Sequence, residues 1–303
     1  MAATAATAVD IREVGPRDGL QAEAPIEVAS RVRLIEALLD AGVRHIEVCA
    51  FVSPAAVPAM AGAAEVVAAL GALGGGGGRP GVRMVALVPN QKGAELARDA
   101  GITDLSVTVS ASAAYNEKNV GMTIAESIAQ VAAIVATGAT SLDAVVSCAF
   151  GSPYEGDVAP DAVATLADQL LDAGATSLTY ADTTGMATPR RVDELLAETG
   201  PAVGLHLHET RGTGLVNAYA ALLAGVRRFD TSIGGLGGSP FAAGAAGNLA
   251  TEDLVHLLDD LGHTTGIDLT RLLEASAVAA EVVGHPVPSR IALAGPRSRL
   301  ALS

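Results

Sequence analysis

Two histidines separated by one residue are the first candidates for chemistry in this chain. His206 and His208 lie in the segment 204–210, which has the pattern of a strand end. Side chains two apart on a β-strand point to the same face, so both ring nitrogens could bind one ion. An isolated His-x-His is more often a pair of ordinary polar residues, so the metal hypothesis depends on further ligands elsewhere in the chain.

Further polar residues that could join the histidines follow the first and the last predicted strands. Arg17 and Asp18 come directly after the first strand, and Asn248 lies in a glycine-rich segment after the last. One carboxylate, two imidazoles and an amide oxygen, with no thiolate, suit a divalent ion with mainly oxygen ligands, such as Mg2+ or Mn2+. Zinc is the less favoured alternative.

Composition limits the class of protein. Of the 303 residues, 50% are hydrophobic and 17% charged, which allows one large core in one domain. The net charge of -14, without a run rich in lysine or arginine, argues against nucleic-acid binding. The sequence has neither a signal-peptide pattern nor an apolar segment long enough to span a bilayer, so we expect a cytoplasmic protein with no membrane partner. Cys49 and Cys148 lie in apolar runs, as buried thiols do.

Strand and helix patterns alternate along the chain. Strands are predicted over residues 11–14, 45–50, 82–88, 105–110, 142–149, 177–181, 202–208 and 228–233. Several of the intervening helical patterns end at an Ala-Gly or Thr-Gly pair, as a helix does before a parallel strand. This order predicts an α/β fold, a (β/α)8 TIM barrel, with a single domain over residues 10–303 and a flexible N-terminus over residues 1–9.

The C-terminal part of the sequence carries two further helix patterns. Residues 251–261 have the pattern of the eighth helix, and residues 268–283 that of an extra C-terminal helix. The final residues look irregular. The glycine run 74–78 is predicted to lie in a flexible connection on the face away from the chemistry.

A barrel of this kind would gather the polar residues at one face, because the C-terminal strand ends form the catalytic face of such barrels. The candidates at or near these ends are Arg17, Asp18, Gln21, Glu47, Asn90, Asp182, His206 and His208. Closure places the eighth strand beside the first. Asp18, the two histidines and the loop that carries Asn248 can therefore converge on one point.

At these residues the chain resembles the hydroxymethylglutaryl-CoA lyases, which belong to the metal-dependent lyases and synthases with a TIM barrel. The matching segments follow the family's order over residues 13–21, 51–54, 147–156, 206–208, 235–238 and 247–253. The resemblance implies four metal ligands, namely Asp18, His206, His208 and Asn248. It also implies that Arg17 steadies an enolate, and that three acidic residues support the site, namely Glu47, Asp182 and Glu252.

The chemistry expected of this family is retro-Claisen cleavage. A divalent ion chelated by the tertiary hydroxyl and a carboxylate of the substrate lowers the pKa of that hydroxyl. Deprotonation by Asp18 or a histidine then breaks the carbon–carbon bond, and Arg17 is the candidate that stabilises the departing thioester enolate. In the resembling lyases a loop cysteine is linked to protonation of the enolate carbon, which gives acetyl-CoA and acetoacetate.

The sequence departs from the family pattern at two places. Ser239 fills the position of the loop cysteine, and an alcohol is far less acidic than a thiol with a pKa near 8.5. Related lyases usually carry a lysine for the CoA phosphates just after Gln21, which this chain lacks. Lys118 keeps one candidate cation, although a lone lysine is more often simply solvated.

Several candidates also have structural alternatives. Glu47 and Asp182 could be partners of Arg17 or a histidine, and Asn90 could cap the next helix as well as contact ligand. Glu252 could orient a metal ligand from behind. Cys148 is expected in the core, because no basic residue lies beside it in sequence.

Three functions remain open at this point. The first is cleavage of 3-hydroxy-3-methylglutaryl-CoA or a related 3-hydroxyacyl-CoA by a homodimeric enzyme. The second is a related condensing or aldolase-type enzyme acting on a different acyl-CoA or a 2-oxo acid. The third is a catalytically retired ligand-binding barrel, which Ser239 motivates.

Overall fold

Eight parallel strands form a closed barrel in the computed structural model, which describes residues 7–73, 79–238 and 247–297. The strands are β1 (Asp10–Glu13), β2 (His45–Ala50), β3 (Arg83–Leu87), β4 (Asp104–Ser110), β5 (Ser141–Ser147), β6 (Ser177–Ala181), β7 (Gly204–His206) and β8 (Arg228–Thr231). Each pairs with the next, and β8 pairs with β1. The predicted TIM barrel is confirmed. The glycine run 74–78 and Ser239 lie outside the described residues.

Helices separate the strands and follow the last one. They are α1 (Val28–Asp40), α2 (Ala63–Leu73), α3 (Gln91–Asp99), α4 (Ala113–Val120), α5 (Ile124–Val135), α6 (Pro160–Asp172), α7 (Pro189–Thr199), α8 (Gly214–Ala224), α9 (Thr251–Asp260), α10 (Leu269–Val283) and α11 (Arg290–Ala294). The predicted eighth helix is α9 and the predicted extra helix is α10, so both predictions are confirmed.

Two features depart from the predicted pattern. Both α4 and α5 follow β4, because each has its own start: Ser112 caps α4, and Thr123 forms a capping box with Glu126 at α5. The prediction of an irregular C-terminus was wrong for α11. Ser289 caps this short helix, and the Asp253 carboxylate of α9 accepts from the Ser289 hydroxyl at 2.7 Å.

The strands β7 and β8 end two residues earlier than predicted. After His206, the next histidine, His208, forms an isolated antiparallel bridge with Asn248. After Thr231, the chain forms a 3-10 turn over Ile233–Gly235. The loops that follow β7 and β8 are therefore joined to each other directly above the barrel.

Two buried carboxylates hold the turn after β8. Glu13 accepts from the amide of Ile233 at 2.8 Å, and Glu252 accepts from the amide of Gly234 at 2.9 Å. Amides that donate to carboxylates cannot pair with a neighbouring strand, so the strand ends here. Gly234 has a φ of +67°, and a Cβ at this position would lie 2.6 Å from Val287, which explains the glycine.

The barrel interior contains a polar layer below its mouth, whereas the apolar core lies between the strands and the surrounding helices. Arg12, Asp143, Thr179 and Asp230 form this layer, and each is at most 3% exposed. Buried charges of both signs require partners, and these residues hydrogen-bond to one another. This layer supports the mouth from below.

The N-terminal segment packs against the loop after α9. Ala8 forms a bridge with Thr264, and the Thr7 hydroxyl lies 2.8 Å from Nδ1 of His263. The flexible segment predicted over residues 1–9 thus overlaps a packed stretch from Thr7 onward. In the described ranges, none of the helices is both long and apolar enough to cross a membrane.

We expect the variant Glu252→Gln to change how stability depends on pH. Burial raises the pKa of Glu252 to about 7 from 4.5, so the folded wild type holds this proton where the unfolded chain releases it, and stability falls as pH rises through this window. Gln cannot ionise. When pH is raised from about 5 to about 8, the free energy of unfolding of the variant should therefore increase relative to that of wild type by on the order of 1 to 3 kcal/mol.

Thermal unfolding of both proteins at the two pH values measures this difference. Glu281→Gln is the control, because Glu281 forms an exposed ion pair with Arg33 and should give the same melting difference at both pH values. An equally pH-independent difference for Glu252→Gln would contradict the assignment of a buried, protonated carboxyl.

Candidate active site

Three ligand-type side chains meet at the C-terminal end of the barrel. Nε2 of His206 lies 3.2 Å from Nε2 of His208 and 3.8 Å from Oδ2 of Asp18. Among the described residues, these three side chains form the group whose ligand atoms lie close enough together, within 4.8 Å of one another, to share one ion. Two ring nitrogens that face each other at this distance need a proton or a cation between them, so the arrangement fits a divalent ion.

Asn248 completes this group from the loop after β8. Its Nδ2 donates to Oδ2 of Asp18 at 2.7 Å and to the carbonyl of Leu236 at 3.0 Å. Its Oδ1 is buried and has no hydrogen-bond partner among the described residues. A buried oxygen without a partner is costly, and a divalent ion would satisfy it. Asp18 and Asn248 are thus in direct contact, as the order of the strands in a closed barrel predicted.

Arg17 supplies the positive charge of the site. Its Nη1 donates to Oδ1 of Asp18 at 2.7 Å, and its Nε donates to Glu47. Glu47 in turn accepts from the Ser106 hydroxyl. Burial alone would raise the pKa of Asp18, but the charge of Arg17, together with His206 and the Asn248 hydrogen bond, lowers it to about 2. Asp18 is therefore ionised at neutral pH.

A cavity of about 200 Å³ opens above these residues. Its floor includes Arg17, Asp18 and the two histidines. Its walls are mainly apolar and include Val52, Val57, Leu87, Tyr115, Val120 and Val145. Charged groups at the floor and apolar walls above suit a small polar acyl group whose attached chain leaves through the mouth.

A model of the HMGL-like family matches residues 8–279. The chain belongs to the HMGL-like family. It is 43% identical to (R)-citramalyl-CoA lyase of Chloroflexus aurantiacus over 95% of both chains. It is also 41% identical to the 3-hydroxy-3-isohexenylglutaryl-CoA/hydroxymethylglutaryl-CoA lyase of Pseudomonas aeruginosa, over 94% of this chain and 96% of the other.

Solved structures show the same relationship. A hydroxymethylglutaryl-CoA lyase from Acinetobacter baumannii, in complex with coenzyme A and 3-methylmalate, superposes with a TM-score of 0.90 at 39% identity over 98% of both chains. The family resemblance found in the sequence is confirmed. This HMGL-like chain is a carbon–carbon lyase, and its relatives support an acyl-CoA substrate.

Two of the three acidic residues predicted to support the site of this HMGL-like chain lie behind its surface. Asp182 is buried, its Oδ1 accepts from the amide of Ala187 at 2.9 Å, and burial raises its pKa to about 7. Its amide donates to the carbonyl of His206 at 2.8 Å. Glu252 contacts the turn at Gly234, which begins the loop that ends at Asn248. Both residues therefore contact the backbone, Asp182 at His206 and Glu252 at Gly234.

The predicted substrate-binding residues separate into two groups. Gln21 lines the cavity beside Arg17. Asn90 instead caps α3 by accepting from the amide of Gly93 at 3.0 Å, which is the structural alternative. Lys118 is exposed, with its Nζ 5.0 Å from the ring centroid of Tyr154. Ser239 lies outside the described residues.

Sequence reasoning missed Asp230 on β8 and Arg12 on β1. Oδ2 of Asp230 lies 3.2 Å from Nδ1 of His206, and Arg12 binds both oxygens of Asp230. The available signal was the pair Arg228 and Asp230, two charged residues on the same face of a strand that is otherwise buried. This spacing places both charges on one face of the strand, and the contacts in the structure show that this face is the barrel interior.

We expect His208→Ala to lose most Mn2+ binding, because it removes one of the atoms that converge on the ion position. Isothermal titration of the metal-free protein with Mn2+ measures this, and affinity should fall by on the order of a hundredfold or more. His256→Ala on α9, a partly exposed histidine, is the matched control and should bind as wild type does. Wild-type Mn2+ affinity in His208→Ala would contradict the assignment of His208 as a metal ligand.

Proposed function

We propose that this chain cleaves a 3-hydroxyacyl-CoA with a tertiary hydroxyl, such as 3-hydroxy-3-methylglutaryl-CoA, to acetyl-CoA and an oxo acid, with a divalent metal ion. The observation that carries the proposal is the buried Oδ1 of Asn248, which has no partner among the described residues and belongs to a side chain that contacts Asp18. Arg17 contacts the same carboxylate. Identity to CoA lyases over nearly the whole chain favours cleavage over the condensing and the non-catalytic alternatives.

Mg2+ or Mn2+ is the metal we propose, held by Asp18, His206, His208 and Asn248. The donor set has two oxygen-bearing side chains and lacks a thiolate, which favours these ions over zinc. When bound, a divalent ion polarises a chelating hydroxyl and carboxylate and lowers the pKa of that hydroxyl. The low pKa of Asp18 supports its role as a ligand that is ionised at neutral pH.

The protein's own residues then account for proton and charge transfer. The proposed ion would use Nε2 of both histidines, so we assign removal of the hydroxyl proton to the carboxylate of Asp18, whose weak basicity suffices once the ion lowers the pKa of that hydroxyl. The carbon–carbon bond breaks, and the electron pair moves to the thioester as an enolate. Arg17 lines the cavity, where the N–H donors not used by Asp18 and Glu47 can stabilise the enolate oxygen.

The relatives named above differ in the acyl group of their substrates. (R)-Citramalyl-CoA carries its carboxylate directly on the hydroxyl-bearing carbon, whereas hydroxymethylglutaryl-CoA has one more methylene. The small cavity of about 200 Å³ favours a compact acyl group of either kind. The citramalyl substrate is therefore the second candidate. A homodimer and a cytoplasmic location, both expected from the sequence, stay predictions.

We expect Arg17→Lys to lower kcat by on the order of a hundredfold or more, because lysine keeps the charge but cannot contact Glu47, Asp18 and an enolate together. Mn2+ affinity should persist. Arg190→Lys is the control, since Arg190 forms an exposed pair with Glu194 on α7. Wild-type turnover of Arg17→Lys would count decisively against the role.

Substitutions of Ser239 test whether this position supplies a proton donor for cleavage of hydroxymethylglutaryl-CoA. If the site lacks only this donor, Ser239→Cys should raise acetyl-CoA release by at least about tenfold, and Ser239→Ala should change it little. If the site serves another acyl group, Ser239→Cys should leave this cleavage negligible, and Ser239→Ala should impair citramalyl-CoA cleavage. No acetyl-CoA from either substrate with any of the three proteins, with Mg2+ or Mn2+ present, would refute the proposed function.

A further inference from the structure

We propose that Asp230, held by Arg12, is a positioning residue that keeps the proton of His206 on Nδ1 and so leaves Nε2 available to bind the metal ion. The inference rests on the metal site proposed above, and its central readout does not require that metal. It concerns a residue that has no direct place among the four ligands.

The geometry at His206 defines the two roles of its ring. Nδ1 lies 3.2 Å from Oδ2 of Asp230, while Nε2 faces His208 at 3.2 Å and Asp18 at 3.8 Å. A neutral imidazole has one N–H donor and one acceptor nitrogen. A carboxylate can only accept, so Nδ1 must donate, and the lone pair of Nε2 then points toward the ligand group. The hydrogen bond to Asp230 thus selects the tautomer that can bind metal.

Arg12 fixes the carboxylate in this orientation. Its Nε donates to Oδ1 of Asp230 at 2.8 Å, and its Nη2 donates to Oδ2 at 2.6 Å. This fork holds the carboxylate plane and keeps the group ionised. Arg12 is 1% exposed and Asp230 is 2% exposed. Neither side chain can turn to solvent without leaving a buried charge unpaired, so the contact to His206 is maintained.

The rest of the interior network anchors Arg12 without reaching His206. Asp143 accepts from Nη1 of Arg12 at 2.8 Å, from Arg228 at 2.9 Å and from Thr179 at 2.7 Å. Asp143 and Asp230 are therefore two buried carboxylates on one guanidinium, and only Asp230 contacts the histidine ring. Asp143 provides a matched control, because its loss removes a similar ion pair but leaves the His206 contact in place.

The test is nitrogen NMR of the metal-free protein with labelled histidine, at a pH above the usual histidine range. His206→Ala assigns the ring signals, and thermal melting verifies that each variant is folded. Wild type should show protonated Nδ1 at His206. Asp230→Ala should lose this exclusive tautomer, whereas Asp143→Ala should keep it. A wild-type His206 spectrum in Asp230→Ala, or an equal change in Asp143→Ala, would overturn the proposal.

Mn2+ titration gives a second readout. Asp230→Ala should weaken Mn2+ binding by about 10- to 100-fold, and Asp143→Ala should change it by less than about threefold. If Asp230→Ala does not fold, Asp230→Leu replaces it, because leucine also cannot accept from Nδ1, and wild-type tautomer and affinity in that variant would overturn the proposal. If wild type itself binds no Mn2+, the proposed metal site fails, and the tautomer measurement still decides the role of Asp230.

Discussion

The pairing of β8 with β1 is the constraint on which the rest of the structure depends. Four residue pairs join these strands in parallel, from Asp10 with Arg228 to Glu13 with Thr231. Because this pairing closes the ring, the loop after β8 comes to lie over the turn after β1. Asn248 and Asp18 are 230 residues apart in sequence, and their side chains hydrogen-bond at 2.7 Å. Without closure there would be no shared ligand group.

Contacts to carboxylates keep this closed end ordered. Arg17 lies between two carboxylates, Asp18 and Glu47, and His206 lies between Asp18 and Asp230. The charge of Arg17 has partners of opposite sign, and His206 donates a hydrogen bond to Asp230, so neither side chain is buried without a partner. The same contacts fix the direction of each side chain. The candidate site is thus organised by protein contacts alone, which is what efficient electrostatic stabilisation of a developing charge requires.

The sequence predicted the barrel and the convergence of Asp18 with Asn248, because the order of parallel strands determines which strand ends are neighbours. It did not predict Asp230, since a charge inside a strand reads the same whether it faces the barrel interior or the outside. Asn90 was open for a related reason: a helix cap and a ligand contact use the same residue type at the same place. Only the observed contact with Gly93 assigns it as a cap.

The central claim is that Asp18, His206, His208 and Asn248 hold one divalent ion. Anomalous diffraction from crystals loaded with Mn2+ tests it most directly. The account predicts one strong peak at bonding distance from a carboxylate oxygen of Asp18, Nε2 of each histidine and Oδ1 of Asn248. A peak that is bound elsewhere, or one that leaves Oδ1 of Asn248 out of its coordination, would contradict the account.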